Sequence, residues 1–329
     1  MSTLQHRAEM QRLARLLGPH TAGLTYLEAV DLATLKQLRE RSTAMLYDAD
    51  REALQRIANA ARLLPSAIAA LIAEKALGPL LCARIAGLLV VDTAIDIAKR
   101  LPPPFLAQVC LELDPRRAKA VIDGVPLARV IAVSLELARR GEFITMGRFV
   151  DILDTEVLLA VIDKLRDNGA LLQIAFFAED RVRLNRIIER LPAPRFGGII
   201  DAALENDGEL WPEALGLITE LNVRWRRRFG EIALTRDADS IAHIIAISDA
   251  QQLWPALLPI ADAVDNEQAV HCLHAVLRKQ KPALLKRMLA AVDVHGSRML
   301  DKLAELDWPA TLRATMAAAA NTRQASALR

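Results

Sequence analysis

The sequence predicts an all-α protein built as a right-handed superhelix, or α-solenoid, of short antiparallel helices. Apolar residues recur at spacings of three and four along almost the whole chain, which is the period of an amphipathic helix, and alternating runs of β-branched residues are missing. The 329 residues are 53% hydrophobic but only 4% aromatic. We therefore expect many thin layers that bury leucine, isoleucine, valine and alanine against their neighbours.

Proline, glycine and aspartate mark the ends of the predicted helices. Asp-Pro at 114–115, Gly-Val-Pro at 124–126 and Arg-Gly at 140–141 interrupt the periodic pattern. Proline is tolerated in a first helical turn, and glycine is favoured just past a helix end. Six aspartates precede amphipathic segments, namely Asp92, Asp114, Asp154, Asp180, Asp249 and Asp265. Because a carboxylate there accepts hydrogen bonds from free N–H groups, helix capping explains these residues before catalysis does.

A weak internal repeat places tryptophan at helix starts. The segment LWPEAL at 210–215 recurs as LWPALL at 253–258 and, less exactly, as DWPATL at 307–312, with proline expected in each first turn. These units follow residue 206, and all phenylalanines but one precede it. The predicted parts are helical repeats at 1–206, repeats with Trp-Pro units at 207–313, and a tail at 314–329 that is expected to fray.

The stretch from Leu101 to Pro126, LPPPFLAQVCLELDPRRAKAVIDGVP, resembles the helical repeats of the cytoplasmic N-terminal domain of MgtE-type magnesium transporters. The likeness rests on Leu101-Pro102-Pro103 and Leu113-Asp114-Pro115 and extends over residues 64–165. It implies a superhelix of short helices. In that family the domain precedes a pair of CBS domains and a transmembrane channel, and it takes part in magnesium-dependent gating. Neither of those modules is visible in this sequence.

Charge and cysteine usage exclude several classes of protein. The chain has 42 basic and 40 acidic side chains, so it lacks the basic excess of a typical nucleic-acid-binding domain. Cys82, Cys110 and Cys272 are odd in number and far apart, which argues against a disulfide framework. The longest apolar stretch, Ala76–Val91, is interrupted by Arg84, and the N-terminus has no continuous apolar block. We therefore expect a cytoplasmic protein without membrane insertion.

Glu267, His271 and His274 form the one metal-like pattern in the chain. Their spacing of i, i+4 and i+7 places a carboxylate and two imidazoles on one helical face, a set of groups that can bind zinc or iron. The alternative is that the histidines fill a half-exposed groove between layers. The sequence indicates no other cofactor.

The phenylalanines point to a second candidate site. Four of the seven fall within 143–149 and 176–177, and the stretch at 141–148 is the least regular part of the helical pattern. The candidate ligand-binding residues are Phe143, Thr145, Met146, Arg148, Phe149, Phe176 and Phe177. Such a region could line a pocket for an apolar small molecule, with Arg148 or Thr145 holding a polar end. The alternative is a packed core where the superhelix turns.

The basic run Arg224-Trp225-Arg226-Arg227-Arg228 has two interpretations. It could grip phosphates with the tryptophan stacked on a base, or it could form a solvated helix face whose charges are offset by Glu220 and Glu231. The balanced charge of the whole chain favours the solvated face.

Motifs for catalysis are missing from the sequence. It contains no Gly-x-Ser-x-Gly, Walker loop, Cys-x-x-Cys or His-Glu-x-x-His. The sequence therefore predicts a non-catalytic cytoplasmic scaffold or regulatory module that binds another protein through the long surface of a solenoid. The alternative is a binding protein for an apolar small molecule in the Phe-rich region. Nucleic acid is not an expected partner.

Overall fold

The computed structural model describes residues 4–18, 24–48, 50–295, 298–310 and 312–313. Helices account for 78% of these residues, which contain no β-strand. The all-α prediction is confirmed, and the handedness of the superhelix stays a prediction. The tail at 314–329, for which fraying is predicted, lies outside the described residues.

The chain forms two compact units, Met1–Arg190 (the N-terminal unit) and Leu191–Arg329 (the C-terminal unit). The helices of the N-terminal unit are α1 (Leu4–Leu17), α2 (Leu32–Asp48), α3 (Arg51–Ala61), α4 (Ser66–Ile72), α5 (Gly78–Ala86), α6 (Val91–Arg100), α7 (Pro103–Glu112), α8 (Lys119–Gly124), α9 (Leu127–Arg139), α10 (Phe143–Val150), α11 (Thr155–Lys164), α12 (Asn168–Phe177) and α13 (Arg181–Ile188). Those of the C-terminal unit are α14 (Ala193–Gly208), α15 (Trp211–Glu220), α16 (Val223–Leu234), α17 (Ala238–Ala250), α18 (Trp254–Ala261), α19 (Glu267–Leu277), α20 (Pro282–His295) and α21 (Arg298–Ala304).

The units divide between Arg190 and Leu191, whereas the sequence pattern predicts a boundary after residue 206. At that predicted position the backbone of α14 departs from helical dihedral angles, with positive φ at Asn206 and Asp207. Asn, Asp and Gly tolerate the left-handed conformation better than other residues. The Asn-Asp-Gly motif therefore marks a kink inside the C-terminal unit.

Helices of the N-terminal unit pack mainly against the next helix but one. One row consists of α3, α5, α7, α9 and α11, and a second row consists of α4, α6 and α8. This alternation is the arrangement of an α-solenoid. The short helices that this arrangement needs follow from the positions of proline in the sequence. Pro102 and Pro126 have extended backbone immediately before α7 and α9, so the preceding helices end there.

Two of the six predicted aspartate caps are confirmed. The carboxylates of Asp154 and Asp180 accept hydrogen bonds from backbone N–H groups in the first turns of α11 and α13. The carboxylate of Asp114 also accepts a hydrogen bond from a backbone N–H, that of Arg116 (3.1 Å), in the turn before α8, whereas Asp92, Asp249 and Asp265 do not occupy N-cap positions. Caps in the described residues that were not predicted include Asp31, Asp167, Asn222, Asp237 and Asn266. Each of them lies one residue before a helix, so the capping chemistry was right and the boundaries were displaced.

The tryptophans of the Trp-Pro units anchor the core of the C-terminal unit. Trp211 and Trp254 begin α15 and α18 with proline in the first turn, as predicted, and both indoles are buried, as is that of Trp308. Each indole N–H donates a hydrogen bond: Trp211 to Ser248 Oγ (2.9 Å), Trp254 to Asp249 Oδ1 (3.1 Å) and Trp308 to the carbonyl of Leu303 (2.8 Å). Large rings are therefore buried with their polar atoms satisfied.

A buried ion cluster joins α1 and α2 to the end of α12. The carboxylate of Glu9, which is fully buried, accepts hydrogen bonds from Arg12 (2.7 Å) and Arg39 (2.5 Å). Arg12 also donates to the carbonyl of Phe177 (2.8 Å), and Arg39 donates to Glu179 (3.0 Å). Burial is the largest single influence on Glu9 and opposes its ionisation, yet the hydrogen bonds and charges of Arg39 and Arg12 together lower the pKa of Glu9.

One segment of the described residues, Ser66–Ala86, is long and apolar enough to cross a membrane, judged by length and composition. The segment contains three charged residues, Glu74, Lys75 and Arg84. Core helices of soluble proteins satisfy the same two criteria. The segment is not one regular helix: a turn of π-helix spans Ala73–Leu77, and Gly78 has a φ of +73° before α5.

Candidate functional site

An apolar cavity of about 420 Å³ lies inside the N-terminal unit. Helices α3 to α13 all contribute side chains to its wall, so both rows of the solenoid line it. Each helix uses one stripe of residues, as α7 does with Leu106, Val109, Cys110 and Leu113. Because residues at i, i+3, i+4 and i+7 share a face, the apolar stripes that fold these helices also line the cavity.

The wall of the cavity is almost wholly hydrocarbon. Among the lining residues in the described part of the chain, Arg129 is the one charged side chain and Ser134 is the one hydroxyl. Burial raises the pKa of Cys82 to about 11, and burial, opposed by the charge of Arg148, raises that of Cys110 to about 12. Both thiols therefore stay protonated near neutral pH and act as small apolar groups.

The cavity reaches solvent near α3 and α4. Ile57, Leu64 and Ile72 line it and are 37%, 39% and 37% exposed. At its other end, on α11 to α13, lining residues such as Leu158 and Ile187 are buried. We call the region around Ile57, Leu64 and Ile72 the mouth of the cavity.

Two of the seven predicted ligand-binding residues line the cavity. Met146 and Phe149 share the inner stripe of α10 with Val150. The predicted irregularity at 141–148 is confined to its first residues, because α10 is a continuous helix from Phe143, and Gly141 has a φ of +71° just before it. Because a regular helix fixes the direction of each side chain, Met146 and Phe149 face the cavity while other predicted residues of α10 face elsewhere.

The predicted rings at Phe143, Phe176 and Phe177 are not part of the cavity wall. Phe176 and Phe177 are buried and meet edge to face with ring centroids 5.1 Å apart. They pack with Ala8 of α1, and Phe143 packs against this cluster. The core alternative therefore describes these three rings, since they lie on the faces of α10 and α12 that turn away from the cavity.

The predicted polar contacts of a ligand, Thr145 and Arg148, also lie outside the cavity wall. Thr145 is buried, and Arg148 donates a hydrogen bond of 2.7 Å to the carbonyl of Leu113. Arg148 therefore ties α10 to the end of α7. Of the described arginines, Arg129 lines the cavity, and the sequence pattern does not single it out.

Close packing of α10 against α12 depends on Gly147. A methyl group at this position would lie 2.5 Å from Cβ and 2.7 Å from the carbonyl oxygen of Phe177, and backbone atoms cannot move aside cheaply. We expect Gly147→Ala to lower the free energy of unfolding, measured in urea, by about 1–3 kcal/mol. Gly197→Ala is the control, because no atom lies within 4 Å of the added methyl group, and it should stabilise by about 0.5–1 kcal/mol. Equal effects of the two substitutions would contradict this packing.

The predicted metal ligands do not come together as a ligand set. Glu267 and His271 are exposed on α19, whereas His274 is buried with its ring edge-on to Trp308, the centroids 4.7 Å apart. No group of three or more His, Cys, Asp or Glu side chains is arranged to hold a metal within the described residues. The face of α19 that carries these three residues is exposed at Glu267 and His271 and buried at His274. The imidazole of His274 therefore packs in the core and is not available as a metal ligand. Burial, followed by the charge of Arg278, lowers the pKa of His274.

The basic run at 224–228 lies on α16 and is partly core. Trp225 is buried and stacks on Phe196 with centroids 5.5 Å apart, so its indole cannot stack on a base. Arg227 donates to the carbonyl of Ala263 and pairs with Asp265 at 3.1 Å. Base stacking by Trp225 is therefore not supported, and the partners of Arg227 are Ala263 and Asp265 rather than the predicted Glu220 and Glu231.

Alanines at inner helix positions are the feature of the sequence that indicates the cavity. Its wall includes alanines at inner positions of successive helices, among them Ala61, Ala73, Ala94 and Ala98. Short side chains at positions where a solenoid normally buries larger ones leave space between its layers. The pattern of aromatic residues was the weaker guide, because most of the rings fill other parts of the core.

No protein-family model matches the chain, and no curated protein or solved structure matches it at the level of significance applied. The resemblance of residues 101–126 to the MgtE-type N-terminal domain therefore stays a prediction from those residues.

Proposed function

We propose that the N-terminal unit binds an apolar small molecule in its cavity. The observation that carries this proposal is a space of about 420 Å³ lined by a nearly all-hydrocarbon wall. Small-molecule sites typically have volumes of about 300–1,000 Å³ and mostly apolar linings. Because successive layers from Ile57 to Ile187 all contribute to the wall, the space is elongated and can accommodate a linear hydrocarbon chain.

The energetics of packing support a ligand. Protein interiors contain few voids larger than a water molecule. An apolar ligand that fills this space supplies the wall with the packing contacts that it otherwise lacks. An apolar cavity gains little from water, since its wall offers few polar partners to it.

The chemistry of the wall supports binding more than catalysis. The thiols of Cys82 and Cys110 are held protonated by their raised pKa values, and no carboxylate or imidazole lines the cavity in the described part of the chain. General acid–base catalysis needs such a group within hydrogen-bond reach of the substrate. The proposal therefore describes a carrier or sensor, which we place in the cytoplasm as the sequence predicts.

Saturable binding of an uncharged fluorescent probe, 1-N-phenylnaphthylamine, tests the proposal. We expect one high-affinity site, together with a retained hydrophobic molecule in native mass spectra of protein purified from its own host. Ligand at a hundredfold excess over Kd adds about 2.7 kcal/mol of stability, which raises Tm by roughly 5–10 °C for a unit of this size. Non-saturable probe fluorescence with unchanged Tm would contradict the proposal.

Protein binding by a scaffold is the second candidate function, and an exposed apolar face favours it. Leu63, Ile68 and Leu71 are 86%, 48% and 58% exposed around α4, and contiguous exposed apolar surface often marks an interaction site. Affinity capture from host extract with wild-type protein and with a Leu63→Glu/Leu71→Glu variant tests this function. A partner that is lost only in the variant is the expected result, and equal capture would contradict it.

A further inference from the structure

We propose that the ligand of this cavity is a single-chain amphiphile with an anionic head group, and that Arg129 binds the head group. The inference rests on the proposed function and specifies its ligand class. Arg129 lies in the first turn of α9 and begins the inner stripe of that helix, which continues with Val130, Val133 and Leu137. A cation therefore stands at one end of a hydrocarbon wall.

The guanidinium of Arg129 has capacity for a ligand. One of its nitrogens, Nη2, donates a hydrogen bond to the carbonyl of Lys99. No carboxylate forms an ion pair with Arg129 among the residues that the structure describes. A guanidinium carries five N–H donors in a planar fork that matches a carboxylate or a phosphate. The free donors and the uncompensated charge favour an anion over a neutral polar group.

Hydrogen bonds place Arg129 at the same edge of the unit as the mouth. Arg129 contacts Lys99 at the end of α6, and the next residue, Arg100, donates to Ser66 Oγ (2.9 Å) at the start of α4. Leu64 of the mouth lies two residues before Ser66. A ligand whose head group contacts Arg129 can therefore extend its chain along the apolar stripes while the head stays near water.

Charge at this edge also favours an anion. Lys99 and Arg100 lie next to Arg129, and Arg62 lies between Ile57 and Leu64 of the mouth in the sequence. The one carboxylate paired with these cations in the described contacts is that of Asp96, which lies 3.1 Å from Lys99. Cations that outnumber anions around an apolar opening attract a negative head group and repel a positive one.

Competition for the bound probe tests the ligand class. Palmitate, 1-palmitoyl lysophosphatidate, hexadecanol and hexadecylamine are each titrated, below their aggregation concentrations, against protein loaded with 1-N-phenylnaphthylamine. Because a hydrogen bond to a charged group adds roughly ten- to hundredfold in affinity, we expect at least one anionic competitor to displace the probe at tenfold lower concentration than hexadecanol. The carboxylate and phosphate arms distinguish a free fatty acid from a lipid phosphate.

Two variants assign this preference to Arg129. Arg129→Met should lose the preference for the anionic competitor over hexadecanol, whatever its own affinity for the probe, and Arg129→Lys should retain part of that preference. Arg139→Met is the matched control, since Arg139 lies on the same helix, is 70% exposed, pairs with Glu136 and does not line the cavity. That control should keep the full preference.

The outcomes separate this inference from the proposed function. Equal displacement by palmitate, lysophosphatidate and hexadecanol in the wild type would overturn the inference while probe binding still supports the apolar site. A preference that survives in Arg129→Met would overturn the role of Arg129. Absence of saturable probe binding would overturn the proposed function itself. The comparison of competitors in the wild type does not depend on whether any variant folds.

Discussion

Replacement of Ala98 by tryptophan is expected to abolish saturable probe binding, lowering affinity by more than about a hundredfold, or roughly 2.8 kcal/mol. Ala98 is half-buried on α6 and lines the cavity in its central layers. An indole at this position occupies the space that the hydrocarbon chain of a ligand needs. Because it fills a void and need not displace packed side chains, the free energy of unfolding should stay unchanged or rise.

The combination of lost binding and retained stability is what identifies a cavity. In packed core the same enlargement would cost about 1–3 kcal/mol, because side chains and backbone would have to move. Ala128→Trp provides the control, since Ala128 is exposed on α9 and does not line the cavity. Fluorescence titration and urea denaturation of both variants give the two measurements. Wild-type affinity in a folded Ala98→Trp protein would show that the probe binds elsewhere.

Replacement of Glu9 by glutamine is expected to lower the free energy of unfolding by about 3–5 kcal/mol at neutral pH. Glutamine keeps the shape of the side chain but removes its charge, which leaves the buried guanidinium of Arg12 without its carboxylate partner. Arg39 keeps Glu179 at 3.0 Å and is compensated in part. Urea denaturation followed by circular dichroism measures the loss.

The cost of Glu9→Gln should depend on pH in a defined direction. The folded protein lowers the pKa of Glu9 below its usual value of 4.5, so the ionised side chain stabilises the fold above about pH 4.5. That contribution disappears as the pH falls through the lowered pKa, and the two proteins should converge in stability in acid. Burial raises the pKa of the nearby Asp151, which acts in the opposite direction, but its contribution is common to both proteins and cancels in their difference.

An exposed ion pair supplies the control for this prediction. Glu40 pairs with Arg116 at 3.4 Å, and both side chains are more than half exposed. Glu40→Gln should change stability little, because water screens such a pair. A loss for Glu40→Gln as large as that for Glu9→Gln would show that burial is not the source of the effect.

Local chemistry, read from the sequence, determined the fold class and most of the helices. The three- and four-residue apolar period predicted an all-α chain, and Pro102, Pro126 and the Trp-Pro units at Trp211 and Trp254 marked where helices begin. These features depend on backbone dihedral angles and hydrogen bonds within a few residues. They can be inferred without knowing what each helix packs against.

Only the tertiary structure determined which apolar helix faces pack in the core and which line the cavity. Phe143, Phe176 and Phe177 were predicted with Met146 and Phe149 because they are neighbours in sequence, yet the orientation of α10 and α12 sends the first three into core and the other two into the cavity wall. The role of Arg129 could not be predicted from residue spacing, because its position in a cavity wall depends on how ten other helices are placed around the same space. A void is a property of how side-chain volumes add across layers, and that sum is fixed only when the helices are placed.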